Sequence, residues 1–337
     1  MSTRIQTGLL AYGMSGKVFQ APFLTTHPGF EFRALVERSR KEARHAYPAA
    51  ISYDSVAELL TDPAIELVIV NTPNDTHAAL TRQALQAGKH VLLEKPVATS
   101  VAEFEELHAL ARQTGRQLLA YHNRRWDSDF QVVREVVESG QLGQLIEVSF
   151  RFDRYKPALN PKAFKETAVP GSGLLYDLGP HLLDQVISLF GRPLRSRKTT
   201  GSYRPGSQVD DYFTFHLEYA GGLNVFVTSG LLIAEPVPSF VLHGTRGSFL
   251  KTRSDVQEAQ LLQGMSPLAP AYGLDAEPGT LTLMGPEGKV TIHPLTPRGN
   301  YTGLFEAVYQ SIRHGAPYPI REEELRWQNE LLEQAAE

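Results

Sequence analysis

Between residue 5 and about residue 122 the chain repeats one rhythm, in which a short apolar run gives way to a helical stretch and then to another apolar run. The runs are Gly8-Leu9-Leu10-Ala11-Tyr12, Phe32-Arg33-Ala34-Leu35-Val36, Leu67-Val68-Ile69-Val70, His90-Val91-Leu92-Leu93 and Gln117-Leu118-Leu119-Ala120. Near-continuous apolarity suits strands buried on both faces, as in a parallel sheet. Helix signals fall between them. Ser55 with Glu58 and Ser100 with Glu103 have capping-box spacing, and Gly88 and Gly115 stand where helices would end in a left-handed residue. Strands alternating with helices imply right-handed crossovers, and hence a doubly wound parallel sheet over 1–122.

After residue 122 the rhythm changes. The pattern predicts a helix over Ser128–Ser139 and a strand over Leu145–Phe152. Another helix should follow Tyr176-Asp177-Leu178-Gly179-Pro180-His181, carried by Leu182, Leu183, Val186, Ile187 and Phe190. Asp211–Tyr219 alternates, breaks at Ala220-Gly221-Gly222 and resumes as Leu223–Ser229, a hairpin signal. Short strands near Phe240–His243 and Ser248–Lys251 extend it into an open, mostly antiparallel sheet backed by helices. Gln263–Thr280, rich in Pro and Gly, reads as a loop. The expected organisation is α/β, with an N-terminal doubly wound domain over 1–122 and a second α/β domain over 123–337. An open sheet covered on one face only tends to bury the other against a copy of itself, so a homodimer or homotetramer is expected.

Composition excludes several functions. The chain has no cysteine, so disulfides, thiolate catalysis and cysteine-ligated metals are out. With 33 basic and 37 acidic side chains, it offers no general attraction for nucleic acid or an anionic membrane. No apolar run approaches the roughly 20 residues of a membrane span, and the apolar stretch entered from Met1 to Thr7 is too short for the signal peptide expected of a secreted chain. Cytoplasmic residence is the expectation. His122, His216, His243 and His293 lack metal-ligand spacing, and no H-E-x-x-H pattern occurs, so no metal is expected.

The first run leads into Ala11-Tyr12-Gly13-Met14-Ser15-Gly16, the dinucleotide pattern G-x-G-x-x-G with alanine in the first place. Gly13 would let the backbone approach a pyrophosphate, with Met14 and Ser15 beside it, and Gly16 would let helix and strand pack closely. The next helix would aim its N–H groups at the phosphates. Glu37 ends the second run 21 residues past Gly16, near the offset of about 20 at which an acid bonds the adenosine ribose. Arg38 and Arg40 follow and could instead receive a 2′-phosphate. NAD or NADP is therefore expected, with Glu37 favouring NAD. Thr72, Pro73, Asn74 and His77, in the loop Asn71–His77, fall at a strand end where a doubly wound sheet opens to its ligand.

Together with Glu94-Lys95-Pro96 and Asp177-x-x-x-His181, these motifs, in order over about 180 residues, resemble the Gfo/Idh/MocA oxidoreductases, whose members are alike over essentially their whole chains. Gly16-Lys17-Val18-Phe19, the run Tyr121–Phe130 and the run Tyr176–Gln185 resemble the scyllo-inositol dehydrogenase branch. Where that branch usually shows Trp-Arg, this chain has Phe164-Lys165. The resemblance implies a Rossmann domain followed by an open-sheet domain. It also implies hydride transfer between nicotinamide and a secondary alcohol of a sugar or polyol.

Such a reaction needs a base for the hydroxyl proton and a polar group to orient the oxygen. Lys95, at a strand end between a carboxylate and a proline, is suitably placed. On a helix, Asp177 and His181 share one face, so the carboxylate could orient the imidazole. Gly179 and Pro180 suggest that the pair lies at a helix start. The resemblance implies that Lys95, Asp177 and His181 are catalytic. Glu94 and Asn123 would lie near the cofactor, and Asn123, Arg154 and Tyr155 near the substrate. A nucleotide- or sugar-sensing regulator on the same fold, and a dehydrogenase of a non-sugar alcohol such as a dihydrodiol, are the alternatives.

Overall fold

The computed structural model describes residues 4–161 and 166–337, so Phe164-Lys165 lies outside the described residues. The strands are β1 (Ile5–Leu9), β2 (Phe30–Val36), β3 (Ile51–Tyr53), β4 (Leu67–Val70), β5 (His90–Glu94), β6 (Leu118–Tyr121), β7 (Leu145–Arg151), β8 (Arg195–Gly201), β9 (Tyr212–Glu218), β10 (Asn224–Gly230), β11 (Phe240–Gly244), β12 (Gly247–Lys251), β13 (Thr280–Gly285) and β14 (Gly288–Ile292). The helices are α1 (Ala21–Thr26), α2 (Ala43–Ala46), α3 (Val56–Thr61), α4 (His77–Gln86), α5 (Val101–Thr114), α6 (Ser128–Glu138), α7 (Gly173–Phe190), α8 (Val256–Leu262), α9 (Thr302–His314) and α10 (Glu322–Glu333).

The first unit holds a six-stranded parallel sheet in the order β3-β2-β1-β4-β5-β6. Chain order reverses between β1 and β4, whose C-terminal ends open the crevice of a doubly wound fold. All four residues of β4 are buried, as a strand covered on both faces requires. Ser55 and Ser100 cap α3 and α5, each accepting the N–H of the glutamate three residues on. The reciprocal bonds reach one residue further back than a capping box does, from Asp54 N–H to Glu58 and from Thr99 N–H to Glu103. Gly115 closes α5 at φ +64°, and Gly88 follows α4 at φ +72°.

The boundary expected at 122 is not a single crossing. Residues 257–272 and 300–321 belong to the first unit with 1–123, and 124–256, 273–299 and 322–337 form the second. Packing on α9 explains the return. Phe305 stacks on Phe23 at 5.1 Å between ring centres and meets Phe30 and Tyr121 edge-on at 6.0 Å. Arg313 pairs with Glu66 at 2.8 Å.

The second unit holds an eight-stranded sheet in the order β14-β13-β12-β11-β7-β10-β9-β8. Only the β7–β10 pair is parallel. Its core lies on one face, where Phe150, Phe213, Phe215, Val225, Val227 and Leu242 meet α6, α7 and α10. The opposite face carries half-buried Ser149, Thr214, His216, Phe226, Val241 and Leu250. β8, with the sequence Arg-Ser-Arg-Lys-Thr-Thr-Gly, was not anticipated because an edge strand needs little apolarity; only Lys198 in it is buried.

The α7 helix begins at Gly173, so Asp177 and His181 sit inside it rather than at its start, and Pro180 is an interior proline. Proline there forfeits one backbone bond. Close packing favours the glycine, because a Cβ on Gly179 would stand 3.3 Å from Leu332 of α10, and Gln328 of α10 donates to the Pro180 carbonyl at 2.8 Å. Where the turn before α6, α7 and α10 meet lies a buried ion triad. Arg125 grips Asp184 with two bonds of 2.7 and 2.8 Å and reaches Glu324 at 2.8 Å. Burial works against this guanidinium, but the two carboxylates outweigh it and hold its pKa above the ordinary arginine value.

Removing one partner strands a buried charge, at a typical cost of about 3–5 kcal/mol. Asp184→Asn is therefore expected to lower unfolding free energy by about 3 kcal/mol. Urea denaturation checks this; a loss within ±0.5 kcal/mol, the usual range for surface substitutions, would remove the triad's structural role.

Candidate active site

The nucleotide end is assembled from the tips of β1, β4 and β5. After β1 the chain turns through Ala11–Met14 into a π-helical stretch, Ser15–Gln20, that runs on into α1. Asn71, at the end of β4, locks the turn sideways: Ala11 N–H donates to its Oδ1 at 3.0 Å, and its Nδ2 donates to the Ala11 carbonyl at 2.8 Å. Alanine in the first place of the pattern is thus accommodated by a two-bond clamp. In the sequence the only sign of this role is an asparagine directly after the apolar run Leu67–Val70.

The two glycines are required for different reasons. A Cβ on Gly16 would lie 2.5 Å from the Ala11 carbonyl oxygen, so side-chain-free packing is obligatory there. A Cβ on Gly13 would meet nothing within 4 Å. The protein itself does not demand glycine at 13, which fits a surface kept bare for another molecule's close approach. Met14 is exposed beside it. Ser15 donates to Glu94 at 2.6 Å, and Gln20 donates to the same carboxylate oxygen at 2.9 Å, so Glu94 ties the turn to the end of β5.

Lys95 follows, half-buried, joined to Pro96 by a cis peptide bond. His77 fastens this step to the neighbouring loop: its ring nitrogens lie 2.8 Å from the Pro96 carbonyl and 2.9 Å from the Thr72 carbonyl. Burial holds its pKa below the ordinary histidine value. The imidazole therefore acts on backbone, bringing Thr72-Pro73 and Lys95-Pro96 together. Thr72 bonds Thr76 across the short 3₁₀ turn Asn74–Thr76. Asn123, buried, opens a second 3₁₀ turn after β6.

Glu37 sits where the offset predicted, but its carboxylate is already engaged. It accepts from the Glu42 and Ala43 N–H groups at 2.8 and 3.1 Å and from the Ser52 hydroxyl at 2.8 Å. Arg38 is exposed and pairs with no acid among the described residues, and Arg40 is 3.9 Å from Glu42 while its side chain stays 85% exposed.

In the second unit, Asp177 and His181 share one face of α7, the former half-buried and the latter 7% exposed. Arg154 rests on the Phe152 ring at 4.8 Å, where Arg124 and Arg253 also lie, at 5.0 and 4.5 Å. Burial opposes the charge on Asp255, but the Arg124 guanidinium bonded to it holds its carboxyl below the usual range. Tyr155 is 60% exposed and bridges Leu232 through its backbone. No group of three potential metal-binding side chains occurs among the described residues, and no helix among them is long and apolar enough to cross a membrane.

Residues 5–122 match the model of an oxidoreductase family with an NAD-binding Rossmann fold, and residues 130–250 match the Gfo/Idh/MocA C-terminal domain. The chain is 36% identical over 333 residues to the uncharacterized oxidoreductase YdgJ of Escherichia coli (strain K12), across 99% of this chain and 96% of that one. It is 34% identical over 322 residues to IolW of Bacillus subtilis (strain 168), named scyllo-inositol 2-dehydrogenase (NADP(+)), across 95% of this chain and 89% of that one. The crystal structure of an oxidoreductase from Bacillus cereus superposes with a TM-score of 0.90 at 32% identity, across 98% and 95% of the two chains. The chain belongs to the Gfo/Idh/MocA oxidoreductase family, with a nicotinamide-cofactor-binding Rossmann domain.

The glycine pair separates cofactor contact from folding. Gly13→Ala should leave the thermal midpoint unchanged and weaken NAD(P)H binding at least tenfold, about 1.4 kcal/mol. Gly16→Ala should lower the midpoint itself, because the Ala11 carbonyl has to move. Fluorescence titration beside thermal melts reads both; a Gly13→Ala protein that binds normally would show that no ligand approaches there.

Proposed function

We propose that the protein transfers a hydride between a nicotinamide cofactor and a secondary alcohol carbon of a sugar or polyol, with an inositol-like ring as the leading candidate. The observation that carries this reading is the shared face of α7 that presents Asp177 and His181, in a chain that also keeps Lys95 at the end of β5. A pure nucleotide sensor has no need of that set. The name of the Bacillus subtilis relative, a scyllo-inositol 2-dehydrogenase, supports the substrate class.

The nicotinamide, when bound, supplies or accepts the hydride. The remaining work falls to side chains. Glu94 and Asn71 hold the turn that bears Gly13, and His77 sets the backbone from which Lys95 extends. In the proposed chemistry Lys95 and His181 hold and move the hydroxyl proton, Asp177 orients the imidazole, and Asn123, Arg154 and Tyr155 meet substrate hydroxyls. Lys95→Ala and His181→Ala should each keep cofactor affinity within a few-fold and lose about 10²-fold or more in turnover. Steady-state kinetics on the best substrate from a screen of inositols, hexoses and pentoses tests this. Near-normal turnover in both variants would end the assignment.

The preferred cofactor in this proposal is NADP. Glu37 was expected to favour NAD by bonding the ribose, yet its oxygens are engaged by Ser52, Glu42 and Ala43. Arg38 and Arg40 are left as exposed cations beside that position, suited to a 2′-phosphate. The NADP(+) in the relative's name points the same way. NADP should bind more than tenfold tighter than NAD, about 1.4 kcal/mol, and Arg38→Ala should erase most of the difference. Equal affinities for the two cofactors in the unaltered protein would restore the case for Glu37.

A further inference from the structure

The α7 helix, which carries Asp177 and His181, starts without help from its own cap residue. Ser172 makes no side-chain capping bond; its hydroxyl turns back to the Val169 carbonyl at 2.7 Å. The first turn is held from outside by Asp210. Leu174 N–H donates to the Asp210 carbonyl at 3.0 Å, and Leu175 N–H donates to its carboxylate at 2.6 Å. The approach is close enough to require glycine at the helix start: a Cβ on Gly173, at φ +89°, would lie 2.1 Å from Asp210 Oδ1.

Asp210 is itself fixed. Its neighbour Asp211, 1% exposed, accepts from the N–H groups of Tyr203 and Arg204 at 2.9 and 2.7 Å and from the Arg204 guanidinium at 3.2 Å. Arg204 also reaches Glu166 at 2.9 Å, so the segment before β9 is clamped to the stretch leading into α7. Further along α7 the Arg125–Asp184 pair supplies a second anchor. Asp177 and His181 lie between the two.

We propose that Asp210 is a positioning residue: by gripping the first turn of α7 it sets the rotation and axial register at which Asp177 and His181 meet the substrate. The proposal rests on the reading of those two residues as proton-handling groups. Misplacement of such groups by about 1 Å can cost about 10²-fold in rate, so a helix carrying both needs a fixed start.

The grip is also sensitive to pH. Burial, with the Asp211 charge adding to it, pushes the Asp210 carboxyl up to about 6, against the pull of the backbone N–H groups. Tyr176 on α7 and Lys198 on β8 also sense its charge, and Glu333 on α10 acts on Tyr176. Since the folded pKa lies above the unfolded one, protonation favours the fold at low pH, and that contribution is lost as pH rises through about 6. Locally the effect is opposite, because the neutral acid is the weaker acceptor for the Leu175 N–H.

The test combines hydrogen exchange with kinetics on Asp210→Asn, which keeps an acceptor oxygen, and Asp210→Ala, which does not. In the unaltered protein, protection of the Leu174 and Leu175 amides, corrected for intrinsic exchange, should fall as pH drops through about 6. In Asp210→Asn it should be independent of pH. Asp210→Ala should lose about tenfold or more in kcat while cofactor affinity is kept, and Asp210→Asn should recover most of that loss. A folded Asp210→Ala with unchanged kcat overturns the proposal, as does an exchange profile with no pH step in the unaltered protein. His181→Ala separates the two levels: if it turns over normally, the underlying assignment has failed, whatever Asp210 does to the helix.

Discussion

The second unit depends on the ion triad of Arg125, Asp184 and Glu324, because it joins three elements distant in sequence through buried charges. Arg125 stands in the turn before α6, Asp184 in the middle of α7 and Glu324 in the first turn of α10. Apolar contacts between these helices would tolerate sliding, since dispersion and area burial are non-directional. A guanidinium bonded twice to one carboxylate and once to another tolerates very little. The triad therefore anchors α7 at Asp184, beyond the turns that carry Asp177 and His181, and Asp210 holds its first turn.

This also explains two sequence runs that marked the resemblance without a mechanism. The run from Tyr121 to Phe130 and the run from Tyr176 to Gln185 lie far apart in the chain. In the structure they meet: Arg125 binds Asp184, and Gln185 donates to the Arg124 carbonyl at 3.1 Å. The Gly179-Pro180 step in the second run lies inside α7 beside α10, not at a helix start. By sequence alone the proline marks a helix start, where it costs least. The approach of Leu332 favours glycine at 179, while nothing in the structure explains the proline that follows it.

The doubly wound half was largely legible because its signals are local. Buried strands announce themselves by apolarity, glycines by the turns they permit, and Ser-x-x-Glu by the caps it forms, all within a few residues. Placement in three dimensions was less legible. Nothing in the run from Thr302 to His314 says that Phe305 belongs beside Phe23 and Phe30 of the first unit. The polar strand β8 was invisible for a related reason, because an edge strand buries few side chains. Strands β13 and β14, in contrast, do alternate, as Thr280-Leu281-Thr282-Leu283 and Lys289-Val290-Thr291-Ile292, a signal the hairpin reading did not extend to. Asp210 was equally hidden. A carboxylate that caps a helix 35 residues away in the chain leaves no spacing to read.

Glu37 shows the limit most clearly. Its offset from Gly16 put it where an acid can meet a ribose, and the structure does place it at the end of β2. A carboxylate, however, is a finite acceptor, with about four lone-pair sites. Two backbone N–H groups and one hydroxyl converge on this one, closing the loop that leads into α2. Spacing identifies which residue can stand beside a ligand, whereas the hydrogen-bond ledger decides whether any capacity is left to bind it. By that count Glu37 keeps at most one acceptor site, and the exposed side chains of Arg38 and Arg40 stand beside it, Arg40 already 3.9 Å from Glu42.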